Sequence, residues 1–219
     1  MDTKLTCLNC SLNGCNNGNE ECFPEFCITK AIDQRAIDSA ANIYLGDNID
    51  AGIMKAAIEI DSEFYCQYTR VEETIAFAHR ISAKKIGIAY CVALQKEAKI
   101  FASVASNSGL EVVGVICKIG SIDKCNVGFE DAIKHNPGHH EPICNPIIQA
   151  EYLNRENTQM NILIGLCVGH DCIFTRYSNA PVTTLVVKDR VLAHNSVGAI
   201  YNAESFYKDK LKSIKLHKE

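Results

Sequence analysis

The sequence predicts an α/β fold: a Rossmann-like or flavodoxin-like parallel sheet of about four strands with flanking helices, preceded by a Cys-rich N-terminal segment. Two observations carry this. From residue 84 onward, short and nearly continuous apolar runs alternate with stretches of helical periodicity, as they do when crossover helices cover a parallel sheet. Five of the chain's 12 cysteines crowd into the first 27 residues, where aliphatic side chains are scarce and Asn and Gly common.

Residues 1–27 cannot bury a core of their own, so metal ligation is the expected means of holding them. Helical periodicity begins at residue 28 and runs to 41, and a second helix is expected over 50–63, with Ile53, Ala57, Ile58 and Ile60 apolar. Thr69 with Glu72 three residues later reads as a capping box, opening a third helix along Val71, Ile75, Ala78 and Ile81. The period then changes. Residues 85–90 read as a buried strand, 92–107 as a helix ended by Gly109, and 110–116 as a second strand. Residues 118–143 read as a long irregular excursion. Asn145-Pro146 joins an N-cap to a first-turn proline and opens a helix to about Glu156. Residues 160–166 form the third expected strand, 169–177 a short helix, and 182–187 the fourth strand. The expected domains are 1–27, a Cys-rich metal-binding segment; 28–83, a helical region packed on the body; and 84–219, the α/β domain.

Charge narrows the function. The 219 residues carry 22 Lys+Arg against 26 Asp+Glu, and a pI near 6.0 argues against a general nucleic-acid or anionic-membrane binder. No apolar run approaches the roughly 18 residues that span a bilayer. The first residues lack an apolar leader, so a cytoplasmic protein is expected. In a reducing compartment, 12 cysteines point to metal or redox chemistry rather than disulfides.

Three expected strands end in cysteine: Cys91, Cys117 and Cys167. Those positions lie at the carboxyl edge of a parallel sheet, where such folds build ligand sites. Cys144 stands just before the Asn145-Pro146 helix start, where thiolate is favoured. The four are candidate cofactor ligands in one crevice; for any one of them alone, packing as a small apolar residue is the competing reading. Lys118 follows Cys117, and His170-Asp171 follows Cys167, so His170, oriented by Asp171, and Lys118 are candidate catalytic groups. The alternative for Asp171 is a favourable place at a helix start. Lys188-Asp189-Arg190 and His194-Asn195 follow the fourth strand at the same edge, where an exposed charged loop is the competing reading. His135, His139 and His140 lie in the excursion.

The N-terminal set reads Cys7-x2-Cys10-x4-Cys15-x6-Cys22-x4-Cys27. Four thiolates satisfy zinc or a [4Fe–4S] cluster equally well, so spacing leaves the metal open. Cys66, Cys125 and Cys172 are weaker ligand candidates.

At this point the chain resembles an uncharacterised family of predicted metal-binding proteins, the domain of unknown function 1847. The matching stretches are Cys7-x2-Cys10-x4-Cys15, Pro24-x2-Cys27, Gly87-Ile-Ala-Tyr-Cys91, Cys117-Lys118-x-Gly120, Cys144-Asn-Pro146 with Gln149-Ala150 and Leu153-Asn154, Gly165-Leu-Cys167-x-Gly-His-Asp171, and Val187-Lys-Asp-Arg-Val191 with His194-Asn195. The resemblance implies metal binding, selects Cys7, Cys10, Cys15 and Cys27 as the N-terminal ligands, and makes Cys22, Cys125 and Cys172 additions. Anaerobic habitats of the family favour iron–sulfur. It implies no reaction.

The leading expectation is therefore a protein with one or two [4Fe–4S] clusters, acting on a small molecule or transferring electrons to a redox partner. The alternative is a zinc carrier or sensor, and a third reading uses cysteine pairs in thiol redox chemistry. A monomer or homodimer is expected, with no nucleic-acid or membrane partner.

Overall fold

The computed structural model describes residues 4–212 and 214. The chain divides into two compact units, Met1–Ser62 and Glu63–Glu219.

The first unit opens with short 3-10 turns at Cys7–Asn9, Gly14–Asn16 and Glu20–Cys22. Polar side chains start two of them. Thr6 and Asn9 form a reciprocal capping box, and the Asn19 carbonyl accepts from the Glu21 N–H. Helices α1 (Ile28–Ala31), α2 (Gln34–Leu45) and α3 (Ile49–Phe64) follow. The periodicity over 28–41 is thus split in two. Asp33 is the reason: its carboxylate accepts from the Arg35 backbone N–H and guanidinium, starting a new helix where an unbroken one would continue.

In the second unit α4 (Arg70–Arg80) begins at the Thr69–Glu72 capping box. A parallel sheet follows, built from β1 (Lys85–Tyr90), β2 (Glu111–Ile116), β3 (Met160–Ile164) and β4 (Val182–Val186) in the order β2-β1-β3-β4. Pairing runs in register from Lys85↔Glu111 to Tyr90↔Ile116, and from Ile86↔Met160 to Tyr90↔Ile164. The interleaved helices are α5 (Gln95–Asn107, after a 3-10 turn at Val92–Leu94), α6 (Pro146–Arg155) and α7 (His170–Tyr177). Helices α8 (Val197–Tyr201) and α9 (Lys208–Lys212) close the described chain. Among the described residues no helix is long and apolar enough to cross a membrane.

The core lies between sheet and helices, with Ile86, Ile88, Leu94, Leu153, Ile162, Leu163, Ile164 and Phe174 almost fully buried. Each such side chain contributes roughly 1.5–3 kcal/mol of transfer free energy. Asn161 and Gln149 interrupt it; the Asn161 amide is partnered at both ends, whereas Gln149 uses its N–H groups and leaves Oε1 without a partner. Asn161, inside β3, accepts from the Thr158 hydroxyl and donates to Ser178 Oγ; Gln149 on α6 donates to the Val115 and Tyr90 carbonyls. Gly87 makes room for the first: a Cβ there would overlap Asn161 Oδ1 and stand 2.7 Å from Leu153 Cδ1.

From β1 the chain moves outward to β2, then returns past β1 to β3. The connection direction reverses between β1 and β3, and the crevice outside their carboxyl ends is where such sheets bind ligands.

Candidate metal centre

The crevice is assembled by backbone hydrogen bonds that extend the sheet one residue past each strand. The Cys91 N–H donates to the Ile164 carbonyl and the Cys117 N–H to the Tyr90 carbonyl, so both residues are pinned at the carboxyl edge. The Asn145 N–H donates to the Cys117 carbonyl, which returns the chain beside Cys117 and places Cys144 next to it. After β3 the chain turns sharply at Gly165, whose φ of +66° is costly for other residues and whose missing Cβ would stand 2.7 Å from Leu94 Cδ1. That turn delivers Cys167. The His170 N–H donates to the Cys167 carbonyl as α7 begins, setting His170 one turn on.

One sulfur from Cys144, one from Cys167 and one ring nitrogen of His170 lie within 4.8 Å of one another, and all three residues are half-buried. Among the described residues this is the one group of three or more such donors that converges so closely. The Nδ1 atom of His170 is buried without a hydrogen-bond partner, which is costly for a polar atom unless a ligand completes it. Asp171, expected to orient His170, places its Oδ1 on the backbone N–H groups of Gly169 and Cys172 and so starts the helix.

Cys117 and Cys91 are deeper, 2% and 4% exposed. Cys117 lies against Cys144 and accepts from the Val92 N–H. That contact holds the Cys144 thiol well below its ordinary range, helped by the charges of Lys118 and His170; the same contact, with burial, pushes Cys117 up. Of the two, Cys144 is the one whose surroundings favour the thiolate.

Cys144, Cys91 and Cys167 each also have a cation. Lys118 lies beside Cys144 while donating to the Pro142 carbonyl, Lys188 Nζ donates to Cys91 Sγ, and Arg190 Nη2 lies 3.1 Å from Cys167 Sγ. Lys188 and Arg190 were readable as a charged loop. Their place just past the fourth strand was the available signal for more, as the Cys167-x2-His170 spacing was for a ligand pair.

The excursion 118–143 is an ordered polar loop. The buried Lys134 ammonium bridges Asp123 and Asp131, each at 2.9 Å, and donates to the His139 carbonyl; Glu141 accepts from the His135 and Asn136 N–H groups. His140 hydrogen-bonds Ser121 and pairs with Asp123, and His139 contacts the Pro137 carbonyl. The His139 and His140 rings thus have separate partners.

In the first unit, Cys7, Cys10, Cys15 and Cys27 line one small cavity together with Phe23, Pro24 and Phe26, and Cys22 is not among its lining residues. Cys22 instead accepts from Asn19 Nδ2. Burial pushes the Cys27 thiol up, but the Lys30 and Thr29 N–H groups, the Thr29 hydroxyl and the Lys30 charge bring it below its ordinary value. Cys66, Cys125 and Cys172 are exposed.

The family described as protein of unknown function (DUF1847) matches residues 27–185. That span contains Cys27, the four crevice cysteines and His170. The uncharacterized protein MJ0455 of Methanocaldococcus jannaschii is 48% identical over 159 residues, which cover 73% of this chain and 79% of that protein.

Proposed function

The chain belongs to the DUF1847 family, and from that premise we propose that it is a cytoplasmic metal-dependent protein with two centres. In the crevice, Cys144, Cys167 and His170 hold a single divalent ion, zinc foremost, and act on a small molecule. In the N-terminal segment, Cys7, Cys10, Cys15 and Cys27 hold a [4Fe–4S] cluster that exchanges electrons with a redox partner.

The observation that carries the crevice reading is the convergence of two sulfurs and a nitrogen within 4.8 Å, beside an unpartnered His170 Nδ1. Bonds of about 2.3 Å to sulfur and 2.0–2.1 Å to nitrogen place tetrahedral ligand atoms roughly 3.5–3.8 Å apart. A four-iron cube puts metal and sulfide between any two of its thiolates and spreads them further. The trio therefore suits one ion. The N-terminal sulfurs suit the larger unit, because they surround a cavity and no three of them converge to that distance.

Bound there, an ion with three protein ligands supplies Lewis acidity toward an oxygen or sulfur atom at its open position. The chain's own groups bind and orient: Arg190 and Lys188 reach the crevice from β4, and Lys118 lies beside Cys144. The half-buried donors also favour a second, non-enzymatic reading, a zinc carrier or sensor that exchanges its ion with chelators.

Anaerobic purification followed by iron, zinc and acid-labile sulfide analysis tests both centres. The expected content is about four irons, four sulfides and one zinc per chain, with zinc alone lost in C144S, C167S and H170A. About eight irons, half of them lost with C91S, C117S, C144S or C167S, would instead put a second cluster in the crevice. Metal content unchanged by all of these substitutions would remove the crevice centre.

A further inference from the structure

We infer that the small molecule handled at the crevice is an anion bearing a carboxylate, gripped by Arg190 and Lys188 beside the open position of the ion. The inference rests on the metal reading just given and names its substrate class.

The argument is one of charge. Three cations, Lys118, Lys188 and Arg190, converge on the crevice from the ends of β2 and β4, and their contacts are with sulfur and a carbonyl, not with a carboxylate. The nearby acids are already engaged. Asp171 accepts from Gly169 and Cys172, Asp189 from Val191 and Leu192, and Glu141 pairs with Lys124. Lys188 and Arg190 contact the sulfurs of Cys91 and Cys167 directly. A divalent ion cancels the two thiolates that bind it and leaves neutral His170 as third ligand. The cations then face a neutral centre, with Cys117 and Cys91 as the remaining sulfurs. The three cations also outnumber the Asp171 and Asp189 carboxylates, which face backbone N–H groups, and the field of that excess is strongest where water is excluded.

Arg190 gives this charge a shape. One of the five N–H groups of its guanidinium goes to Cys167, and the residue is otherwise exposed at the crevice mouth. A planar fork of that kind matches a carboxylate with paired hydrogen bonds. Val168, 88% exposed between Cys167 and Gly169, leaves the approach to the trio without a polar competitor at that position.

The test uses the full chain loaded with cobalt(II), whose visible absorption reports ligands at the ion. Acetate and its neutral analogue acetamide are titrated at constant ionic strength into the wild type, R190Q, K188Q and C167S. The expected result is one crevice cobalt in the first three proteins and none in C167S. Acetate should shift the wild-type spectrum saturably, acetamide should not, and R190Q should weaken acetate by roughly tenfold or more. K188Q provides a second measure if R190Q loads poorly. Trio-dependent cobalt with no preference for acetate over acetamide would overturn the anion inference and leave the metal site standing. A cobalt content no lower in C167S than in the wild type would overturn the metal reading, and the inference with it.

Discussion

Cys144 stands against Cys117, although residues 118–143 loop out between them. The backbone bond from Asn145 to Cys117 closes that loop. The contact therefore depends on the excursion being folded, and it favours the thiolate at Cys144.

In the metal-free, reduced protein, Cys144 should react with iodoacetamide as a thiolate down to mild acid, its rate falling only as pH passes through about 5. A free cysteine peptide, with a pKa near 8.5, loses about tenfold in rate per pH unit below that value. The C117A substitution removes the neighbouring thiol and should move the Cys144 inflection upward. Peptide mapping of alkylated Cys144 across pH reads this directly. An inflection unmoved by C117A would mean that Lys118 and His170 set the thiolate by themselves.

Metal should protect the same sulfur. Loading one zinc per chain is expected to suppress alkylation of Cys144 and Cys167 together, leaving exposed Cys125 and Cys172 reactive. Chelation should restore both at once, since they share the ion. Mass spectrometry of labelled peptides checks it; protection of one without the other would separate them.

The Gly87→Ala substitution should destabilise the second unit by about 1–3 kcal/mol, the usual cost of overpacking a core. Its Cβ would meet Asn161 Oδ1 and Leu153, both fully buried beside the central strand β1. Thermal unfolding measures the effect. A melting temperature unchanged from wild type would show that Asn161 can turn away from Thr158 and Ser178 at no cost.

The excursion should loosen in acid. Lys134 holds the Asp123 carboxyl well below the usual carboxylate range, with the Cys125 and Glu141 N–H groups adding to it. A depressed folded-state pKa gives a contribution that is fully present above the unfolded value of about 3.9 and is lost as pH falls below it. Hydrogen exchange at the Lys124 and Ile143 amides, which tie the two arms of the loop together, should accelerate below that pH in the wild type. In K134M it should be fast already at neutral pH. Equal protection in both proteins would show that the backbone bridge alone holds the arms.

Much of this was legible in the chain. The alternation of apolar runs and helical periods specified a parallel sheet because only crossover helices can cover both of its faces. Thr69–Glu72 and Asn145-Pro146 marked helix starts that stand where local chemistry put them. The break between α1 and α2 was less visible, since Asp33 competes as a cap against a pattern that also permits an unbroken helix. The buried Asn161 was not legible at all: its partners, Thr158 and Ser178, come from the segment before β3 and the end of α7.

Local sequence determined that Cys91, Cys117 and Cys167 would stand at strand ends and Cys144 at a helix start, because strand and cap signals act over a few residues. Tertiary structure decided what they do together. The strand order brought the ends of β1 and β3 to one switch point, and the return of the excursion set Cys144 against Cys117. The turn at Gly165 then brought Cys167 and His170 to Cys144, while Lys188 and Arg190 arrived from β4. Distances between groups far apart in the chain follow from sheet order and loop closure, and no local periodicity encodes those.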